Sequence, residues 1–134
     1  MRVLIFGGTG LLGQSIYDLF KSKSFKCYRS SLKKNSEFKS DLLSKKTISK
    51  FITRIKPNLV INCAGETDVS FCNKDFKSAY KSNVLTVRNI ANSLNEVGMN
   101  CLFIQISTDQ VYESNKKNKS NKENETSISN GYGA

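Results

Sequence analysis

Gly7-Gly8-Thr9-Gly10-Leu11-Leu12-Gly13 has the residue types and spacing to hold a phosphate group. Gly7, Gly10 and Gly13 form a G-x-x-G-x-x-G string in which each glycine has its own task. The first permits a tight turn, the second lets backbone approach a pyrophosphate, and the third lets a helix pack closely on a sheet. A helix opening at this point would offer free N–H groups and the positive end of its dipole. A glycine triplet alone marks nothing more than a tight turn. Here it follows a solid apolar run, Val3–Phe6, and precedes an amphipathic stretch, the context that makes it a dinucleotide-binding loop. The residues expected to line the cofactor are therefore Gly7, Thr9, Gly10, Leu11, Leu12 and Gly13.

The second strand should show which dinucleotide is bound. An acid at its end would hold the ribose 2′-hydroxyl of NAD. That place reads Tyr28-Arg29-Ser30-Ser31, with no acid. Arg29 and the serines would accept a 2′-phosphate, which favours NADP(H) over NAD(H); the alternative is an arginine on a basic surface. Asp41 would accept a hydrogen bond from an adenine amino group or, as readily, cap the next helix.

The elements that position these residues follow from apolar spacing. Leu12, Ile16, Leu19 and Phe20 fall on one helical face. Phe25–Tyr28 and Phe38–Ser40 read as short strands. Ile48, Phe51, Ile52 and Ile55 repeat the helical spacing after a capping Ser44, and Pro57 separates them from the strand Leu59–Ala64. Val87, Ile90, Ala91, Leu94 and Val97 form another helical stripe closed by Gly98, and Cys101–Ile106 is the last strand. Apolar strands without alternation, interleaved with amphipathic helices, specify a parallel sheet covered on both faces. The fold class is α/β: a Rossmann-type doubly wound sheet of five strands in the order 3-2-1-4-5. Residues 113–126 are almost wholly polar and read as an exposed loop.

The chain has 134 residues, enough for one domain. Its apolar runs are too short to span a bilayer, and the one at the N-terminus is too short for a signal peptide, so a cytoplasmic, non-membrane protein is expected. Histidine is absent, and the cysteines at 27, 63, 72 and 101 have no C-x-x-C spacing, so no metal site is expected. Net charge is +10. Residues 1–56 hold 13 Lys and Arg against 3 Asp and Glu, and residues 57–134 hold 8 against 8. Such a bias suits a phosphate-bearing partner, or a solvated face in a lysine-rich chain. The basic segments lack interleaved aromatics and any recognisable nucleic-acid module, which argues against nucleic acid.

The chain resembles the extended short-chain dehydrogenases, and most of all their dTDP-4-dehydrorhamnose reductase branch. The likeness rests on Gly7–Gly13, Asp41-Leu42, Lys56–Thr67, Asn83-Val84 and Arg88–Ala91. It is strongest in Ile106-Ser107-Thr108-Asp109-Gln110-Val111-Tyr112, close to the family's I-S-T-D-Y-V-F, and it closes on Asn130-Gly131-Tyr132-Gly133. The resemblance implies hydride transfer from a nicotinamide to the C4 ketone of a nucleotide-linked 6-deoxy sugar, a step of dTDP-rhamnose biosynthesis. It implies Thr108 as the hydroxyl that bonds the substrate oxygen and Tyr132 as the general acid. It also implies Asp109 on the sugar, and Leu42, Ala64, Gly65, Glu66, Asn83 and Tyr132 along the cofactor. Glu66 stands where the family has an aromatic residue or histidine, and Gln110 where it has tyrosine.

The family's lysine, four residues after the tyrosine, would fall at 136, and the family's sugar-binding half would follow it. The 134 residues are thus expected to be the NAD(P)-binding portion, without appreciable reductase activity. Its last strand would be an uncovered edge carrying Leu102, Phe103, Ile104 and Ile106, inviting self-association or a homodimer. Two other readings stay open: a non-catalytic NAD(P)-binding regulatory subunit, and a related sugar-nucleotide epimerase or dehydratase.

Overall fold

A computed structural model describes residues 1–32, 36–112, 126 and 130–133. Its sheet has five parallel strands in the order β3-β2-β1-β4-β5, as expected. The strands are β1 (Arg2–Phe6), β2 (Lys26–Ser31), β3 (Phe38–Lys39), β4 (Leu59–Asn62) and β5 (Leu102–Gln105). Helices α1 (Leu11–Ser22) and α2 (Lys45–Ile55) follow β1 and β3. After β4 come α3 (Val69–Lys74), α4 (Phe76–Tyr80), a π-helical turn (Lys81–Leu85) and α5 (Thr86–Glu96). Among the described residues no helix is long and apolar enough to cross a membrane. Most of the polar stretch 113–126 lies outside the described residues; Thr126 forms a single antiparallel bridge with Tyr112.

The central strands show why solid apolar runs specify this architecture. Side chains alternate across a strand, so a strand covered on both faces needs apolar residues at every position. In β1, Leu4 and Phe6 join a core with Ile48, Ile52, Val60 and Ile90, packed under α2 and α5. Val3 and Ile5 face the other way, against Tyr17 of α1, Leu59 and Ile61. All four β1 side chains are fully buried. Ser44 caps α2 by accepting the Thr47 N–H, and Ile48, Ile52 and Ile55 line the buried face.

Strand β2 extends to Ser31, past the expected end at Tyr28. Its polar end is satisfied inside the sheet: Ser30 pairs with Phe6 of β1, and its buried hydroxyl bonds that of Ser40. Helix α1 is turned from the expected face. Gly13 and Tyr17 are its buried residues, Ile16 and Phe20 pack beside them, and Leu12 and Leu19 are 48% and 54% exposed. The close fit of Gly13 to the loop fixes this rotation. A Cβ there would lie 2.3 Å from the Gly7 carbonyl oxygen, so the 13–17 face must point inward.

Sheet coverage is uneven. Phe103 packs on the α2–α5 core, while Leu102 is 62% exposed and Ile104 and Ile106 more than a third exposed. The face of β4 and β5 that lies on the α1 side is therefore open at its β5 end.

The two helices make a paired test of the packing. Ile52→Ala should cost about 2–5 kcal/mol, because it opens a cavity among fully buried neighbours. Leu19→Ala should stay within about 0.5 kcal/mol. Urea denaturation of both variants measures the difference; equal losses would restore the originally expected face of α1.

Candidate cofactor and active site

The carboxyl ends of the strands meet at a crowded point. Gly7 leaves β1 with φ +71°, and a Cβ on it would lie 2.6 Å from the Ala64 nitrogen. No L side chain fits that space, so the loops after β1 and β4 touch backbone to backbone. Beyond this contact α1 begins at Gly10, with no side-chain cap and no acid in its first turn. Its first N–H groups therefore have no capping side chain, an arrangement suited to an anion.

Two cavities, each of about 510 Å³, open along this edge. The first lies among Gly7, Thr9, Gly10, Ser30–Leu32 and Ser40–Leu43, with Ser78, Lys81, Ser82 and Thr86 across from them. The second lies among Asn62–Thr67, the π turn, Arg88 and Gln105–Thr108, with Val111, Tyr132 and Gly133. Cys63, Ala64 and Gly65 line both, so the cavities share one backbone wall.

That wall is braced from two sides. Buried Asn62 accepts the Ala64 N–H at 3.1 Å and donates to Gln105 at 2.8 Å, which turns the chain out of β4 two residues before the expected end. Asn83 clamps the far end: its side-chain oxygen accepts the Glu66 N–H at 2.7 Å, and its Nδ2 donates to the Glu66 carbonyl at 3.0 Å. The Glu66 carboxylate accepts the N–H groups of Thr67 and Asp68, which fixes the start of the next loop.

Thr108 caps the 3-10 turn Asp109–Val111, accepting the Gln110 N–H at 3.2 Å. Asn130 accepts the N–H groups of Tyr132 and Gly133 and donates to Gln110, while the Gly131 N–H donates to Asn73 of α3 at 2.7 Å. Thr108 and Tyr132 are thereby brought into the second cavity, some two dozen residues apart in sequence.

Several expected positions differ. The Arg29 side chain lies on the α1 side of β2, away from the first cavity. It stacks over the Tyr17 ring, donates to Gln14 and pairs with Glu37 at 3.5 Å. Alternation along β2 dictates this: Ser30 points to the cavity side, so Arg29 points away. The Tyr17 hydroxyl also donates to Glu37, and burial with that contact pushes its pKa up. Leu11 is 93% exposed, and neither Leu11 nor Leu12 presents its side chain to the cavities; their backbone belongs to the opening of α1. Asp109 stands exposed outside the second cavity, accepting from the Thr108 hydroxyl at 3.4 Å. Asp41 lines the first cavity and accepts the Leu43 N–H in the turn before α2; it does not cap that helix, whose cap is Ser44.

Sequence reasoning missed α3, α4 and the π turn, and with them Ser78, Lys81 and Ser82. The available signals were Asp68 and Asp75, which cap α3 and α4 by accepting the Phe71 and Ser78 N–H groups. Cys63 is half-buried in the shared wall. Burial pushes its thiol above the ordinary range.

Comparison with known proteins adds four findings. The family profile described as the RmlD substrate binding domain matches residues 1–134. A crystal structure of a dTDP-4-dehydrorhamnose reductase from Clostridium acetobutylicum superposes with a TM-score of 0.85 at 31% identity, covering 99% of this chain and 45% of that one. One from Bacillus anthracis in complex with NADP gives 0.84 at 26% identity, covering 98% and 45%. Methionine adenosyltransferase 2 subunit beta of Xenopus tropicalis is 30% identical over 115 residues, covering 84% of this chain and 34% of that protein. The chain thus spans between a third and a half of the length of these relatives.

Two measurements check the geometry. Asn83→Ala should remove hydrogen-exchange protection from the Glu66 amide and cost about 1–3 kcal/mol, since two backbone groups lose their partner; unchanged protection would show the clamp to be idle. Because burial raises its pKa, Cys63 should react with iodoacetamide more slowly than a free cysteine at pH 8, the gap narrowing as the pH is raised. Peptide mass spectrometry reads this, and labelling at the free-cysteine rate at pH 8 would contradict the assigned burial.

Proposed function

The chain belongs to the family of the RmlD substrate binding domain, and on that premise we propose that it is the cofactor-binding portion of an NADPH-dependent reductase acting on the C4 ketone of a nucleotide-linked 6-deoxy sugar. The observation that carries the reading is the second cavity. It brings Thr108 and Tyr132 together, and it joins the glycine-loop cavity through Cys63-Ala64-Gly65. A nicotinamide dinucleotide fits the residues present. The α1 opening is uncapped and free of acids, so its N–H groups can hold the pyrophosphate. Asp41 and Leu42 line the far end for the adenine.

NADP(H) is favoured over NAD(H) because the β2 end of the cavity presents Ser30, Ser31 and Leu32, without a carboxylate for a 2′-hydroxyl. Arg29 is set aside as the 2′-phosphate ligand, since it is held by Glu37, Gln14 and Tyr17. The cofactor, when bound, supplies the hydride. The chain's own groups handle the ketone oxygen. Thr108 accepts from the Gln110 N–H, and its own proton turns from a long 3.4 Å contact with the Asp109 carboxylate toward the substrate oxygen when the sugar binds. The Tyr132 hydroxyl lines the same cavity as Thr108 and is the group that gives a proton to the developing alkoxide. The nucleotide sugar is bound mainly by the half that follows in the family, with Asp109 at the rim. Four free thiols suit a reducing compartment, and we place the protein in the cytoplasm.

A second reading rests on the likeness to methionine adenosyltransferase 2 subunit beta. By that reading the chain keeps a dinucleotide site and serves as a regulatory subunit of such an enzyme, without turnover.

Turnover distinguishes the two. The 134-residue chain should bind NADPH at least tenfold more tightly than NADH in calorimetric titration, yet show no reduction of a dTDP-4-keto-6-deoxy sugar. A chain continued through the tyrosine–lysine helix and the second half of a family reductase should turn over, and Tyr132→Phe in it should lower kcat by about 10²–10⁴ with cofactor affinity unchanged. Turnover indifferent to Tyr132 would move the proton donor elsewhere. No turnover, with a stable complex to a methionine adenosyltransferase, would establish the second reading.

A further inference from the structure

The first cavity has an opposite wall whose charge the proposed function has not used. Its described lining residues include one acid, Asp41, already bonded to the Leu43 N–H, and one cation, Lys81. Lys81 is exposed, and among the described residues no carboxylate lies within 4 Å of its ammonium. Its nearest acid influence is Asp75, whose carboxyl is held low mainly by bonds from Ser78 and less by Lys81 and Lys77. Asp75 is committed to capping α4.

Position explains why this lysine reaches the cavity. Lys81 opens the π turn between α4 and α5. A π turn holds an extra residue, which shifts its side chains off the faces that an unbroken α-helix would give them. Lys81 and Ser82 line the first cavity, and Asn83 and Val84 line the second. Lys81 lines the same cavity as the glycine loop and the end of β2, where a dinucleotide carries its phosphates. The loop offers N–H dipoles but no full positive charge, and Arg29 faces away.

We propose that Lys81 supplies the cationic contact to the phosphates of the bound dinucleotide, reaching from the π turn across the cavity to the glycine-loop side. This rests on the dinucleotide reading and adds to it a residue that determines affinity. The contact is a mobile point charge on a flexible stem, suited to a phosphate that arrives with the ligand.

The test uses the full chain and four proteins: wild type, Lys81→Gln, Lys81→Arg and Lys77→Gln. Each is titrated calorimetrically with NAD⁺ and NADP⁺, with thermal melts confirming equal folding. Lys81→Gln should weaken binding about tenfold, the scale of one charge-assisted bond, and Lys81→Arg should restore most of it. Lys77→Gln should leave affinity unchanged, because Lys77, in the adjoining α4, carries the same charge but does not line the cavity. Equal weakening of both ligands assigns Lys81 to the pyrophosphate, and weakening of NADP⁺ alone assigns it to the 2′-phosphate; either supports the proposal. Unchanged affinity in Lys81→Gln, or an equal loss in Lys77→Gln, overturns it while the dinucleotide reading stands. Wild-type chain that binds neither ligand overturns both.

Discussion

Backbone crowding at the carboxyl edge of the sheet governs this molecule. Gly7 and Gly13 stand where a single added carbon would strike main-chain atoms, of Cys63 and Ala64 in one case and of Gly7 and Gly8 in the other. The first contact draws the loops after β1 and β4 together. The second sets the rotation of α1, deciding that Tyr17 rather than Leu19 is buried. The glycine loop and the shared wall stand close enough to face one ligand because of these two absences of side chain.

Charge is arranged locally rather than in bulk. The excess of cations in residues 1–56 does not converge on the cavities: among their described lining residues the cations are Lys81 and Arg88, both from the second part of the chain. The conspicuous arginine of β2 is instead used within the fold. Its ion pair with Glu37 and its stacking on Tyr17 tie α1, β2 and the approach to β3 together. A partly exposed pair of this kind contributes modestly to stability, and its larger effect is to fix where the guanidinium points.

Strand order, the glycine loop and the α2 and α5 faces were legible in the sequence because burial on both faces leaves solid apolar runs, which few other arrangements produce. The meeting of Thr108 with Tyr132 was legible only through family likeness, since nothing local relates two residues so far apart. The orientation of Arg29 depended on whether β2 continued through Arg29-Ser30-Ser31, and that in turn on a hydroxyl pair with Ser40, just past the end of β3. The π turn left no apolar signature, and α3 and α4 are too short for periodicity to declare them; only their aspartate caps announced them. The face of α1 was misread because a glycine's fit outweighed the apolar spacing of leucines.

Cys63-Ala64-Gly65 is a partition with an occupant's place on either side, braced by Asn62 at one end and Asn83 at the other. A partition held this way transmits. If a ligand in one compartment binds one position of that wall better than another, the compartment next door inherits the bias, and by thermodynamic linkage the reverse effect has the same magnitude. Two asparagines that line the second cavity but not the first thereby set the stiffness of the joint. A softer joint lets the compartments fill independently, and a firmer one makes the first arrival prepare the room for the second.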